Sequence, residues 1–218
     1  MKALLFDFDG VLIESETAGN RQIADTLTGL GYPTTLAQAM ERFMGLSGPR
    51  FTAALEDWIG GPLPDAFLAA RLEEDERVLR DGVAEVAGAV GFVRSLPAAL
   101  PKAVVSSSST RWIATHLAHL GLSDAFGEHV YSGKEHVANG KPAPDLYLYA
   151  AARLGVAIDD CIIIEDSPVG AAGAVASGGR VIGLVAGSHC GPGHAERLRA
   201  IGVADIAADF AQLSRLLA

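Results

Sequence analysis

Residues 2–10 read KALLFDFDG, a short aliphatic run that stops at two acids and a glycine. The run is too short for a helix and too apolar for a strand with one wet face. It predicts a buried central strand over residues 2–8. Three other stretches have the same form. KAVV (102–105) stops at the polar residues 106–110, CIII (161–164) stops at Glu165-Asp166-Ser167, and RVIGL (180–184) follows Gly178-Gly179. Helical patterns lie between them: Trp112, Ile113, His116, Leu117 and Leu120 before Gly121, then Leu146, Tyr149, Ala150, Arg153 and Leu154 before Gly155. Strand–helix alternation with glycine at the helix ends predicts the α/β class, a doubly wound parallel sheet.

Residues 14–86 interrupt that alternation. They are helical in pattern throughout, with turns at Gly31-Tyr32-Pro33, from Gly45 to Pro49, and from Gly60 to Pro64. The sequence therefore predicts two domains: an α/β core from residues 1–13 and 87–218, and an inserted α-helical domain over 14–86. The size agrees, because 218 residues exceed one average domain without filling two.

Half of the residues are hydrophobic, 20% are charged and 6% aromatic, which excludes disorder and fits aliphatic helices on a buried sheet. Lys and Arg number 17 against 26 Asp and Glu, a formal net charge of -9. Such a surface repels phosphate backbones, so no nucleic-acid partner and no anionic membrane surface is expected. A small anionic substrate stays open, since a metal and a few placed donors reverse the sign locally. Cys161 and Cys190 form no framework, and no apolar segment reaches about 18 residues. A soluble, cytoplasmic protein is the expectation; nothing in the sequence bears on oligomeric state.

In open parallel sheets, ligands bind outside the carboxyl ends of the strands, where three of these strands carry polar residues. Asp7 and Asp9, two apart on the first strand, share one side of the pleat. They can bind a divalent cation or divide nucleophile and acid/base roles, or form a plain Asp-Gly turn. Ser106 can hold a phosphate oxygen or cap a helix. Lys141, in Gly140-Lys141-Pro142, is a phosphate-binding ammonium or a surface lysine before a turn. Glu165 and Asp166 are metal ligands or a capping pair. Taken together, two carboxylates, a hydroxyl, a lysine and an acidic pair form a set for metal-assisted phosphoryl transfer. An anionic nucleophile must there approach an anionic phosphoryl group.

FDFDGVLIESE (6–16), VVSSSSTR (104–111), GKPAPDLYL (140–148) and IIIEDSPVGAAGAVASG (162–178) resemble the four motifs of the haloacid dehalogenase superfamily. The chain is most similar to its β-phosphoglucomutase-like branch, which inserts a helical cap after the first motif. The resemblance implies that Asp7 is the nucleophile, forming an aspartyl-phosphate, and Asp9 the general acid/base. It implies phosphate binding by Ser106 or Ser107 and by Lys141. It also implies Mg2+ held by Asp7, the carbonyl of Asp9 and Asp166, with Glu165 either as a direct ligand or as a partner just behind them. Position 14 is Glu where the branch usually has Asp.

Within the superfamily, the second Asp separates the chain from the dehalogenases proper, and the absence of Lys from residues 14–86 removes the Schiff-base route of the phosphonatases. The position of the mutase cap histidine is Gly19, and all six histidines lie at or beyond His116. Hydrolysis of a small phosphorylated metabolite, a sugar or polyol phosphate, is therefore the expected reaction. A β-phosphoglucomutase-like mutase is the alternative, and a non-catalytic phospho-ligand-binding protein a remote one. Arg50, in MGLSGPR (44–50), is the candidate specificity residue of the cap. His189, Cys190 and His194 lack the spacing of a zinc site and read as a flexible, Gly-rich loop.

Overall fold

Leu4, Leu5 and Phe6 are fully buried because their strand has neighbours on both edges and helices on both faces. The computed structural model describes residues 2–46 and 48–217. Strand β1 (Ala3–Phe6) pairs in parallel with β2 (Lys102–Ser106) on one side and β4 (Cys161–Glu165) on the other. With β3 (Val130–Ser132), β5 (Arg180–Leu184) and β6 (Asp205–Ala207) they form one six-stranded sheet, order β3-β2-β1-β4-β5-β6, every pair parallel. The chain winds one way from β1 to β3, then crosses to β4 and winds the other way. The topological switch therefore lies between β1 and β4, where such sheets place their ligands.

The chain divides into two compact units, Met1–Glu14 with Val83–Ala218, and Ser15–Gly82. In the first, the period-two alternation of the strands builds two cores. Leu4, Phe6, Val104, Ile162 and Ile164 face α5 (Ala89–Ser95), α6 (Thr110–His119) and α11 (Phe210–Leu217). Ala3, Leu5, Ala103, Val105 and Ile163 face α8 (Asp145–Leu154), α9 (Pro168–Ser177) and α10 (His194–Ala200). The short α7 (Ser123–Phe126) brings Phe126 edge-on to Phe6 at 5.8 Å.

The second unit is helical: α1 (Ser15–Gly29), α2 (Leu36–Phe43), α3 (Gly48–Ile59) and α4 (Asp65–Asp81). They share a core of Ile23, Leu27, Ala39, Phe43, Leu55 and Phe67. Thr35 and Gln38 form a reciprocal capping box on α2. The turn read at 45–49 is shorter than expected, because α3 already begins at Gly48, with Pro49 in a first turn that needs no amide there. Arg50 is exposed on that turn, and Ser47 lies outside the described residues.

The first strand also ends earlier than the sequence suggests. β1 stops at Phe6, and the Asp7 amide still donates to the Ile164 carbonyl at 2.9 Å. The Phe8 carbonyl then accepts from Val11, Leu12 and Ile13, and Gly10 turns the chain at φ 83°. Asp9 is thus in a tight turn beyond the strand. Glu14 N donates to Ala84 O and Val86 N to Leu12 O, so residues 83–86 pair with the end of this turn. Among the described residues no helix is long and apolar enough to cross a membrane.

Candidate active site

Three segments converge at the carboxyl edge beside the switch point. Asp7 follows β1, Glu165 closes β4 with Asp166 next to it, and Lys141 arrives from the loop before α8. The Lys141 ammonium donates to Asp7 Oδ1 at 2.7 Å and to Glu165 Oε1 at 2.5 Å, with all three side chains nearly or wholly buried. Close backbone packing fixes the lysine loop: a Cβ on Gly173 of α9 would stand 2.8 Å from the Ala143 carbonyl and 2.9 Å from that of Pro142.

Glu165 is fully buried and fully used. Its Oε2 accepts from the amides of Asp166 and Ser167 and from Ser167 Oγ, each at 3.1 Å. Its Oε1 also accepts from Tyr147 Oη at 2.8 Å. Gly170, in the first turn of α9, is required there, because a Cβ would come within 1.8 Å of Oε1. Ser167 caps the same helix by accepting from Gly170 N at 3.0 Å.

Ligand oxygens of Asp7, Glu165 and Asp166 lie within 4.8 Å of one another, and all three residues are buried. Three carboxylates face one ammonium, so the cluster is short of positive charge. Burial first, and then the Glu165 charge, push Asp7 well above the ordinary carboxylate range, with Lys141 opposing. Burial works against the Lys141 ammonium, yet Asp7 and Glu165 outweigh it and hold it well above the ordinary lysine value. Burial and Glu165 raise Tyr147, which keeps its phenol a donor. An all-oxygen, anionic, desolvated donor set of this kind suits a hard divalent cation.

Asp9 is held apart from this cluster. Its Oδ2 accepts from Ser108 Oγ at 2.6 Å and Ser106 Oγ at 3.3 Å, and its Oδ1 accepts from Trp112 Nε1 at 3.0 Å. Ser106 is buried at the end of β2 and accepts from Ser108 N at 3.0 Å, whereas the Ser107 side chain is exposed. The two acids of the first motif therefore differ in their contacts: the Lys141 ammonium bonds Asp7, while Ser106, Ser108 and Trp112 bond Asp9. Arg50 belongs to the helical unit, in the first turn of α3.

Ser108, Trp112 and Tyr147 are not singled out by sequence reasoning. Ser108 is masked by its serine neighbours, Trp112 and Tyr147 by helical periodicity. The stretch read as a flexible loop also departs from expectation, since His189 and His194 are buried. His189, Cys190 and His194 bring ligand atoms within 4.8 Å of one another. However, both His194 nitrogens are engaged, and burial together with the nearby Asp166 and Glu14 charges pushes the Cys190 thiol up to about 12.

A sequence model of the haloacid dehalogenase-like hydrolases matches residues 1–178. Hexitol phosphatase A of Escherichia coli (strain K12) is 31% identical over 187 residues, 84% of this chain and 82% of that protein. Fructose-1-phosphate phosphatase of the same organism is 32% identical over 176 residues, 80% of this chain and 92% of its own. Among solved structures, a HAD family hydrolase from Deinococcus radiodurans R1, with bound phosphate and sodium, superposes with a TM-score of 0.85. That pair is 32% identical, covering 100% of this chain and 95% of the other. The chain belongs to the haloacid dehalogenase-like hydrolases and is a phosphoric monoester hydrolase.

Proposed function

We propose that this phosphatase is Mg2+-dependent and hydrolyses a small sugar or polyol phosphate through an aspartyl-phosphate on Asp7. The observation that carries the reading is the buried trio of Asp7, Glu165 and Asp166 against the single ammonium of Lys141. Asp7 and Asp166, with the carbonyl of Asp9, would hold the cation, and Glu165, whose oxygens already accept from Lys141, Tyr147, Ser167 and two amides, would stand as a direct ligand or as an outer partner. When bound, Mg2+ supplies the positive charge that offsets repulsion between an anionic nucleophile and an anionic phosphoryl group.

An Asp7 carboxylate oxygen attacks phosphorus, and the bond from phosphorus to the ester oxygen breaks. Asp9 delivers a proton to that oxygen, so the alcohol leaves neutral. Asp9, now a carboxylate, takes a proton from water as the water attacks phosphorus. The bond to Asp7 then breaks, and inorganic phosphate is released with Asp7 restored. Lys141 and Ser106, with Ser107 beside it, bind the phosphoryl oxygens. Ser108 and Trp112 keep the Asp9 carboxylate in one orientation between the two half-reactions.

The sugar-phosphate class is taken from relatives whose names specify hexitol and fructose-1-phosphate phosphatases. The helical unit Ser15–Gly82, expected from the sequence as 14–86, would act as a cap that selects among such esters, with Arg50 as its candidate contact. The mutase alternative lacks its cap histidine, since the position is Gly19. Two free cysteines fit a reducing, cytoplasmic setting. The test is a panel of sugar, polyol, nucleotide and glycolytic phosphates assayed for phosphate release with and without Mg2+. Release should require Mg2+ and vanish in Asp7→Asn and Asp9→Asn. Undiminished turnover by Asp7→Asn would sink the assignment.

A further inference from the structure

The segment that follows β5 belongs to none of the four motifs, yet it is tied into the site at several points. The Glu14 carboxylate accepts from Ser188 N at 3.0 and 3.1 Å and from Ser188 Oγ at 2.6 Å. This gives the departure at position 14 a partner. The neighbouring His189 then turns inward, with Nε2 2.7 Å from Asp166 Oδ2; the two side chains are 3% and 1% exposed. His194, at the start of α10, reaches the same residue through its backbone, with Nε2 2.6 Å from the Asp166 carbonyl. Arg197 donates to His194 Nδ1 at 2.9 Å. A guanidinium only donates, so Nδ1 is the acceptor and the ring proton on Nε2 goes to the carbonyl. One histidine thus fixes the Asp166 side chain and the other its main chain.

The slot for the His189 ring is built from glycine. A Cβ on Gly187 would stand 2.5 Å from Cε1 and 2.6 Å from Nδ1, and one on Gly10 would stand 2.8 Å from Cε1. Gly10 has φ 83°, so it satisfies the turn of the first motif and makes room for the ring at once.

We infer that His189 is a positioning residue for the cation site. Its imidazole holds the Asp166 carboxylate in the orientation that brings a ligand oxygen within 4.8 Å of those of Asp7 and Glu165. The clamp of Glu14 on Ser188 keeps the imidazole in place. Groups around a ligating side chain set its orientation, and losing one costs about 10- to 100-fold in metal affinity. The inference rests on reading Asp7, Glu165 and Asp166 as the cation site.

The test uses Mn2+ as probe, titrated into the full chain and followed by the electron paramagnetic resonance signal of the free aquo ion. Wild type should bind Mn2+ in competition with Mg2+. His189→Ala should weaken that affinity by about 10- to 100-fold while the melting temperature holds. His189→Gln, whose amide N–H can donate to the carboxylate, should recover much of it. Glu14→Ala should weaken binding in the same direction by a smaller factor. If His189→Ala fails to fold, Gly187→Ala against His189→Gln carries the comparison, the first losing affinity and the second keeping it. Wild-type affinity in His189→Ala, or in Gly187→Ala, overturns the inference and leaves the cation site standing. No Mn2+ uptake by wild type, with phosphate release indifferent to metal, overturns the cation reading and this inference with it.

Discussion

Lys141→Met removes the ammonium from between Asp7 and Glu165 and leaves an apolar stem of similar length in its place. Three buried carboxylates then crowd together with no ammonium between Asp7 and Glu165, while Asp166 keeps its contact with His189. Breaking a buried ion pair by deleting one partner costs about 3–5 kcal/mol, because the remaining charge is desolvated and unpaired. In a protein of this size each kcal/mol moves the melting temperature by about 2–4 °C, so the variant should melt about 6–20 °C below wild type. The loss should depend on pH in a fixed direction. Asp7 already has its folded pKa raised by burial and by Glu165. A raised carboxyl binds its proton more readily folded than unfolded, so its penalty grows as pH rises and fades as pH falls. Lys141→Met should therefore lie closer to wild type at acid pH than at alkaline pH. Saturating Mg2+ should restore part of the loss, by about 2.7 kcal/mol at a hundredfold excess over its dissociation constant. Asp7→Asn placed on top of Lys141→Met should also recover stability, since it removes one of the crowded charges. The assay is differential scanning calorimetry with chelator or with Mg2+ across pH. Melting of Lys141→Met within 1–2 °C of wild type in chelator at alkaline pH would refute the claim that these carboxylates share a desolvated site.

Trp112→Phe removes the indole donor 3.0 Å from Asp9 Oδ1. A hydrogen bond to a charged group is worth about 1.5–3 kcal/mol, so kcat should fall about 10- to 100-fold with KM nearly unchanged; wild-type kcat would contradict it. His116 is fully buried beneath the Trp112 ring at 4.2 Å, and burial lowers its pKa. Its contribution is complete above the unfolded-state value of about 6.5 and is lost as pH falls below it, because the unfolded chain then binds the extra proton. Urea unfolding should show His116→Leu losing less stability than wild type between about pH 7.5 and pH 5.5. Parallel losses would remove His116 from the account.

Much of the fold is legible in the sequence where burial is complete. β1, β2, β4 and β5 are aliphatic runs buried along nearly their whole length, and such runs have few other places to go. β3 and β6 escape notice because each is three residues long, and Asp205-Ile206-Ala207 holds too little pattern to read. The end of the first strand is misjudged because Phe8 is as apolar as a strand residue, although its carbonyl closes a turn. Within the site, Asp7, Asp9, Ser106, Lys141, Glu165 and Asp166 stand at strand ends or in short motifs, where local sequence is informative. Ser108 and Trp112 owe their importance to Asp9, about a hundred residues away in the chain. Tyr147 lies on an apolar helix stripe that reads as core, and only the fold brings its hydroxyl to Glu165. His189 is hidden by glycines whose local meaning is flexibility. Glu14 and Asp166, both distant in sequence, fix the loop.

The central claim is that phosphorus is transferred to Asp7 before it reaches water, and trapping that species tests it most directly. The full chain is mixed with Mg2+ and a sugar phosphate that it hydrolyses, then quenched with borohydride, which reduces an acyl phosphate to the alcohol. Peptide mass spectrometry should find Asp7 converted to homoserine only when substrate is present, and no conversion in Asp7→Asn. Active turnover with Asp7 unmodified, or a phosphoryl group recovered on a serine such as Ser106, would contradict the account.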